Sequence, residues 1–305
     1  MPRPQSYGGQ AVLEGVLMRG RSYTAVAVRR PRGDIALKVQ PTGFWGTSSL
    51  RRLPFVRGIM ILGESLAQGM AALQWSANVA LEQEEQEPSG RQMALVMAIA
   101  FLFTAVIFFA TPALAAGWTQ GFLHPVIVHL LEGGIRIGFL LAYLWFIGRM
   151  PDIGRLFAYH GAEHKTIHAF EAGVPLEVPQ IQRFSPAHPR CGTSFLLTVM
   201  LVAIFVFALL GQPSFGWRIL SRVLLLPVVA AVSYEALRFG ATHLGNIFVR
   251  VLVGPGLALQ RLTTREPEDD QVEVALAAFQ ALRAAEATAG ELASEDGGQQ
   301  AEINA

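Results

Sequence analysis

The chain has 305 residues, of which 52% are hydrophobic and only 15% charged, with a mean hydropathy of +0.38. Soluble domains carry about 25% charged residues, so this composition excludes an ordinary globular enzyme, and it excludes disorder over most of the length. The net charge of +1 gives no reason to expect a nucleic-acid partner, and Cys191 as sole cysteine excludes a disulfide scaffold. What remains is a polytopic α-helical membrane protein whose first partner is the lipid bilayer.

Residues 1–92 read as a cytosolic N-terminal part. It opens with Gly8-Gly9-Gln10-Ala11-Val12-Leu13-Glu14-Gly15-Val16-Leu17-Met18-Arg19-Gly20. Glycines at this density imply tight turns and close backbone approach. No Gly-Lys-Ser/Thr follows, so this is not a phosphate loop. It is either a Gly-rich edge strand or a segment through which Glu14 and Arg19 reach the functional site. Residues 22–30 and 35–39 predict a β-hairpin across Pro31-Arg32-Gly33-Asp34. From Phe55, apolar residues at Ile59, Leu62, Leu66, Met70, Leu73, Ala77 and Leu81 recur every three or four positions. That period predicts an amphipathic helix lying on the membrane or on protein.

Residues 93–265 form the predicted membrane domain, with about four transmembrane helices. Met93 to Ala116 runs 24 residues without a charge, long enough to cross a hydrocarbon core of roughly 30 Å. The other spans are 122–147, 194–210 and 219–239. The second holds His124, His129, Glu132, Gly133, Gly134 and Arg136. It reads either as one helix with a Glu132–Arg136 pair on one face, or as two pieces broken at the glycines. Lys and Arg decide orientation: eleven in 1–92, none in 117–134, five in 148–193, none in 211–217 and four after Phe239. The positive-inside rule then puts both termini and the 148–193 loop in the cytosol, as in a multi-pass protein of the bacterial inner membrane. The absence of an apolar core behind a basic start predicts no cleavable signal peptide. Residues 266–305 carry ten acidic groups against one Arg, predicting a short helix around Val272 to Leu282 and then a disordered, acidic tail. The tail and the N-terminal part are the places where protein partners would attach.

The loop 148–193 contains the segment with chemistry, His160-Gly-Ala-Glu163-His164-Lys-Thr-Ile-His168-Ala-Phe-Glu171. On a helix, with His160 at zero, Glu171 falls at about 20°, His164 at about 40°, His168 at about 80° and Glu163 at about −60°. One stripe thus carries three imidazoles and two carboxylates. Two His at i,i+4 can hold Zn²⁺ (Mn²⁺ or Fe²⁺ would use similar donors), and the glutamate between them can take a proton from water. H-x-x-E-H is the inverse of the zinc-protease signature. The bland alternative is a polar helix face at the membrane surface.

A catalytic zinc takes a third protein ligand. Glu235, 71 positions after His164 near the cytosolic end of the last span, is the first choice. Its alternative is a pair with Arg238 or Arg250. Inverted zincins similarly take a glutamate tens of residues downstream, as that resemblance implies. His168 and Glu171 continue the stripe, and His188 and Cys191 sit three apart before the third span, so each is a further candidate.

Taken together, G-G-Q-A-V-L-E-G-V-L-M-R-G, H-G-A-E-H-K-T-I-H-A-F-E and H-P-R-C-G-T-S-F resemble the YqhQ-like family of bacterial multi-spanning membrane proteins. The resemblance runs from about Gln5 to Glu273, with conservative departures such as Leu17 in place of Met. It implies membrane location and metal dependence, supplies no substrate, and points to Glu14, Arg19, His160, Glu163, His164, His168, His188 and Cys191. The expectation is a zinc-dependent membrane hydrolase, peptidase-like, with its site at the cytosolic face. His160, His164 and Glu235 would hold the metal, and Glu163 would act as base. The competing expectations are a non-catalytic metal sensor or transporter, and a membrane scaffold.

Overall fold

A computed structural model describes residues 7–42, 53–82, 89–119, 121–188, 191–211, 214–243 and 245–303. The chain is mostly helical, with one four-stranded antiparallel sheet near its N-terminus. The strands β1 (Gly8–Val12), β2 (Gly15–Arg19), β3 (Tyr23–Arg29) and β4 (Ile35–Pro41) form a simple meander. The expected hairpin is β3–β4. The Gly-rich segment adds a second one, closed by a two-residue turn at Leu13-Glu14 with Val12 opposite Gly15. Glu14 takes φ 52° there.

Both faces of this sheet are covered, which hides its period in the sequence. Leu17, Val26 and Val28 face helix α1 (Val56–Ala80), meeting Ala72, Trp75 and Val79. Val16, Met18, Ala25 and Ala27 face the other way, towards α5 (Pro151–Glu171) and α10 (Asp269–Ile303). Alternate residues of each strand thus enter different cores, so β2 and β3 read as continuous apolar runs.

The C-terminal segment departs from expectation. Its helix runs from Asp269 to Ile303, where a short helix and a disordered tail were predicted. Val272, Val274, Ala275, Ala278, Phe279 and Leu282 are fully buried against the sheet and α5. Phe279 lies 5.0 Å from the Tyr7 ring and 5.1 Å from Phe170. Two of the acidic residues that suggested solvation bind the sheet instead. Glu286 accepts from the backbone N–H of Ser22 and Tyr23 at 2.6 and 2.9 Å, and Glu273 pairs with Arg29 at 2.9 Å.

Among the described residues, three helices are long and apolar enough to cross a membrane: Ala94–Gly117, Pro125–Ile147 and Leu220–Gly240. The first comprises α2 (Gly90–Ala105), a π-helical turn (Val106–Ala110) and α3 (Thr111–Gly117). The second is α4, continuous through Gly133-Gly134, so the broken-helix alternative does not hold. A Cβ on Gly133 would lie 2.3 Å from Ile204, so this glycine serves close packing against α7 (Gly192–Ala208), a shorter apolar helix, whereas a Cβ on Gly134 would meet nothing among the described residues. The third span belongs to α8 (Phe215–Thr242).

Glu132 bonds Arg136 at 2.8 Å, as the i,i+4 spacing predicted, and also Arg222 of α8 at 3.1 Å, all three residues being buried. Arg136 donates to Phe108 O in the π-helical turn at 2.8 Å, a carbonyl to which Pro112, four residues on, has no N–H to offer. After α8 comes α9 (Ile247–Thr263), a helix the sequence reading did not anticipate.

Truncating Phe279 tests the packed C-terminal helix. Phe279→Ala is expected to cost about 3–5 kcal/mol, as for other buried aromatic side chains, and to lower the thermal melting midpoint in detergent. A solvated tail would leave the midpoint unchanged.

Candidate metal centre

The centre is built on α5, whose length is set by Pro151 at its first turn and by Gly173, at φ 69°, just beyond its end. Gly154 and Gly161 make one side of α5 flat. There the link between α9 and α10 crosses the helix so closely that a Cβ on Gly161 would lie 2.1 Å from Arg265 O. Arg265 N–H donates to Phe157 O at 3.0 Å. Lys165, almost fully buried, pairs with Glu266 at 2.5 Å and donates to Gln182 O at 2.9 Å. The glycine of the H-x-x-E-H segment is therefore a packing requirement.

Crossing backbone orients the imidazoles. His160 Nδ1 bonds Thr263 O at 2.8 Å, His164 Nδ1 bonds Pro186 O at 2.6 Å, and His168 Nδ1 bonds Ser185 O at 3.1 Å. A carbonyl only accepts, so each Nδ1 must carry the proton, leaving each Nε2 as the lone-pair atom. His160 Nε2 lies 3.2 Å from Cys191 Sγ. Donor atoms of His160, His164 and Cys191 all fall within 4.8 Å of one another. Donors on a tetrahedral zinc, at bond lengths of about 2.0–2.3 Å, stand roughly 3.4 Å apart, so a modest contraction fits the ion. Imidazoles fixed through Nδ1 to carbonyls are the usual outer support of metal-binding histidines.

Cys191 is positioned by a buried amide. Gln260, fully buried in α9, accepts from His188 N–H at 2.8 Å and donates to His188 O at 2.8 Å and to Ser194 Oγ at 3.0 Å. This clamp fixes the chain just before α7, and Cys191 caps that helix by accepting from Thr193 N–H at 3.4 Å.

Glu163 is 3% exposed, with Oε2 3.4 Å from His164 Nε2. Burial pushes its carboxyl up to about 7, against a smaller opposing pull from His160. Strand β1 passes directly over it, since a Cβ on Gly9 would lie 2.8 Å from Glu163 Cγ. Cluster and carboxylate open into a cleft of about 690 Å³ between the β1–β2 hairpin, α1, α5 and the adjoining ends of α7 and α8.

The remaining predicted residues are distributed differently. Glu235 is not brought to the cluster. It bonds Arg57 Nε at 2.7 Å and accepts from Phe55 N–H at 3.2 Å, so the third donor beside the imidazoles is the Cys191 thiol. Arg57 lies 178 positions upstream, which hid this pairing from a search among Glu235's neighbours. Glu14 holds Arg155 through both oxygens, at 2.6 and 2.7 Å, and accepts from Tyr159 at 3.2 Å. Arg19 lines the cleft with its charge met by Glu64 at 2.5 Å. His188 stands 3.5 Å from Glu171, and its ring lies 4.5 Å from that of His168. Sequence reasoning did not single out Gly9, Glu64 or Gln260 individually. The first had a signal in the glycine pair of β1, whereas Gln260 had none.

Comparison with known proteins follows the same whole-chain pattern. The chain is 36% identical over 299 residues to the uncharacterized protein YqhQ of Bacillus subtilis (strain 168), covering 93% of this chain and 94% of that protein. No solved structure matches it. Residues 53–285, three quarters of the chain and including α5, Cys191 and Gln260, match the model of the DUF1385 family, described as a protein of unknown function, and the chain belongs to that family.

Proposed function

We propose that the protein is a metal-dependent hydrolase of the bacterial inner membrane, peptidase-like, working at the cytosolic face. The observation that carries this reading is the convergence of His160 Nε2, a similarly anchored His164 and Cys191 Sγ beside a buried glutamate. His160, His164 and Cys191 would hold the ion, with Zn²⁺ favoured by a thiolate and two imidazoles in a tetrahedral array. A divalent metal there supplies Lewis acidity to a carbonyl and acidifies water. Glu163 accepts the proton from the attacking water and returns it to the leaving group, and its elevated pKa near neutrality suits both transfers. Thr263 O and Pro186 O keep the imidazoles in one tautomer throughout.

A four-crossing topology accompanies this reading, and the packing supports it. The N-terminal sheet, α5 and α10 share one core, so all three lie on one side of the bilayer. Two long apolar helices lie between the sheet and α5, and α7, α8 and α9 lie between α5 and α10, of which the four-crossing reading takes α7 and α8 as crossings and keeps α9 on the shared side. An even number of crossings between each pair is what a shared core requires. Seventeen residues give α7 a length of about 25 Å, short but sufficient for a crossing with slight thinning. The Lys and Arg distribution assigns that shared side to the cytosol.

One observation favours a metal carrier or sensor instead. From the cluster the imidazoles continue in a row, His164 to His188 at 5.6 Å and His188 to His168 at 4.5 Å, ending beside the exposed Glu171.

Elemental mass spectrometry on detergent-purified protein tests the centre. Wild type and Glu235→Gln are expected to retain about one metal per chain, and His160→Ala/His164→Ala none. Cys191→Ala should bind at least about 10-fold more weakly. Metal-free wild type after anaerobic loading with Zn²⁺, Mn²⁺ or Fe²⁺ would end the hydrolase reading.

Glu163→Gln separates enzyme from carrier. In the hydrolase it keeps the metal and loses about 10²–10⁴-fold in turnover of whatever substrate a screen finds. In a carrier it leaves metal transfer nearly intact.

A further inference from the structure

The two edges of the N-terminal sheet are built differently. Edge strand β4 carries Lys38 and ends in Pro41, two devices that discourage a further strand from pairing. Edge strand β1, Gly-Gly-Gln-Ala-Val, carries no charge and no proline. Its residues Gly8, Gly9 and Gln10 line the cleft, in the same wall as Glu163 and facing the cluster of His160, His164 and Cys191. Among the described residues, no backbone group of β1 bonds anything beyond the sheet ladder. Among the described residues, a Cβ on Gly8 would meet nothing within 4 Å, so the first residue of this strand leaves one face clear where it lines the cleft. Helix α1 closes one face of the slot, held through Gln10 to Ser65 O at 3.3 Å, and α5 closes the other.

We infer that β1 is the substrate-binding strand, and that the cleft takes an extended peptide as a fifth strand, with one of its carbonyls delivered to the metal cluster. This deepens the hydrolase reading by naming the substrate class, and it rests on that reading only for what happens to the bond. Strand addition suits this cleft for three reasons. The backbone hydrogen bonds it offers are independent of side chains. Alternate peptide side chains would point to opposite faces, one towards Ile61 and Leu62 of α1, with Phe195 and Leu237 further along the same cleft. Those four are apolar, so the preferred peptide is apolar at alternate positions. A volume of about 690 Å³ is in the range of pockets that enclose a short ligand rather than a folded domain.

The test uses the metal-loaded full-length protein in detergent and changes only the probe, so misfolding does not enter. Acetyl-Val-Leu-Val hydroxamate, acetyl-Ala-Phe-Ala hydroxamate and acetyl-Ser-Asn-Ser hydroxamate are titrated against acetohydroxamate, which reports the metal alone. The apolar peptides are expected to bind at least about 10-fold tighter than acetohydroxamate, and N-methylation of their backbone nitrogens is expected to remove that gain while leaving every side chain in place. Binding of all three peptides no tighter than acetohydroxamate, or a gain indifferent to N-methylation, would overturn strand addition while leaving the metal centre standing. Displacement of the apolar peptides by lysophosphatidylglycerol but not by a second apolar peptide would overturn it in favour of a lipid. If the protein holds no metal, the hydrolase reading fails by itself. The amide-capped peptides and their N-methyl forms then read the strand edge directly, with the same two outcomes.

Discussion

The crossing of α5 by the chain between α9 and α10 is the contact on which the rest depends. Two glycines on one face of α5, two turns apart, make room for Arg265, Gly161 lying against its backbone carbonyl and Gly154 against its guanidinium. That approach brings Thr263 O to His160 and Glu266 to Lys165, and it sends the chain onward into α10 against the sheet. A buried lysine is costly unless its charge is met, so the Lys165–Glu266 pair and the Gln182 carbonyl also fix the register of the crossing. The geometry of the candidate centre and fold closure thus rest on the same few atoms.

The centre has a second support on its opposite side. Carbonyls of Ser185 and Pro186 orient His168 and His164, while Gln260 holds the backbone of His188. A side-chain amide that satisfies both polar groups of one buried residue acts as a piece of β-ladder where no strand exists. It places Cys191 at the N-terminus of α7, where the thiol sulfur accepts from Thr193 N–H. The donors therefore come from one helix, α5, and from the N-cap of α7, each locked by different neighbours, which is what a preorganised site requires.

Much of the local structure was legible in the residues themselves. The amphipathic period from Ile59 to Leu81 became α1, and the apolar runs became helices, because both signals are carried by side chains within one segment. The i,i+4 pair Glu132–Arg136 was visible for the same reason, whereas its third member, Arg222, was not. The C-terminal acidic segment misled because composition reports average solvation. Glu273 and Glu286 are individually placed at Arg29 and at the Ser22 and Tyr23 amides, partners more than 240 positions away. The glycine-rich segment offered an edge strand, but β2 within it is buried on both faces, which removes the polar alternation that marks a half-exposed strand.

By itself the sequence determined the helical stripe of His160, Glu163, His164 and His168, since 3.6 residues per turn puts those side chains on one face wherever the helix lies. It also determined that the chain is apolar enough to hold several long hydrophobic helices. Only the tertiary structure decided the third donor. Glu235 and Cys191 were both chemically suitable, and the choice turned on Arg57, which captures the carboxylate, and on Gln260, which delivers the thiol. Spacing along a chain encodes neighbours on one helix face, but contacts between helices depend on packing that no local pattern records.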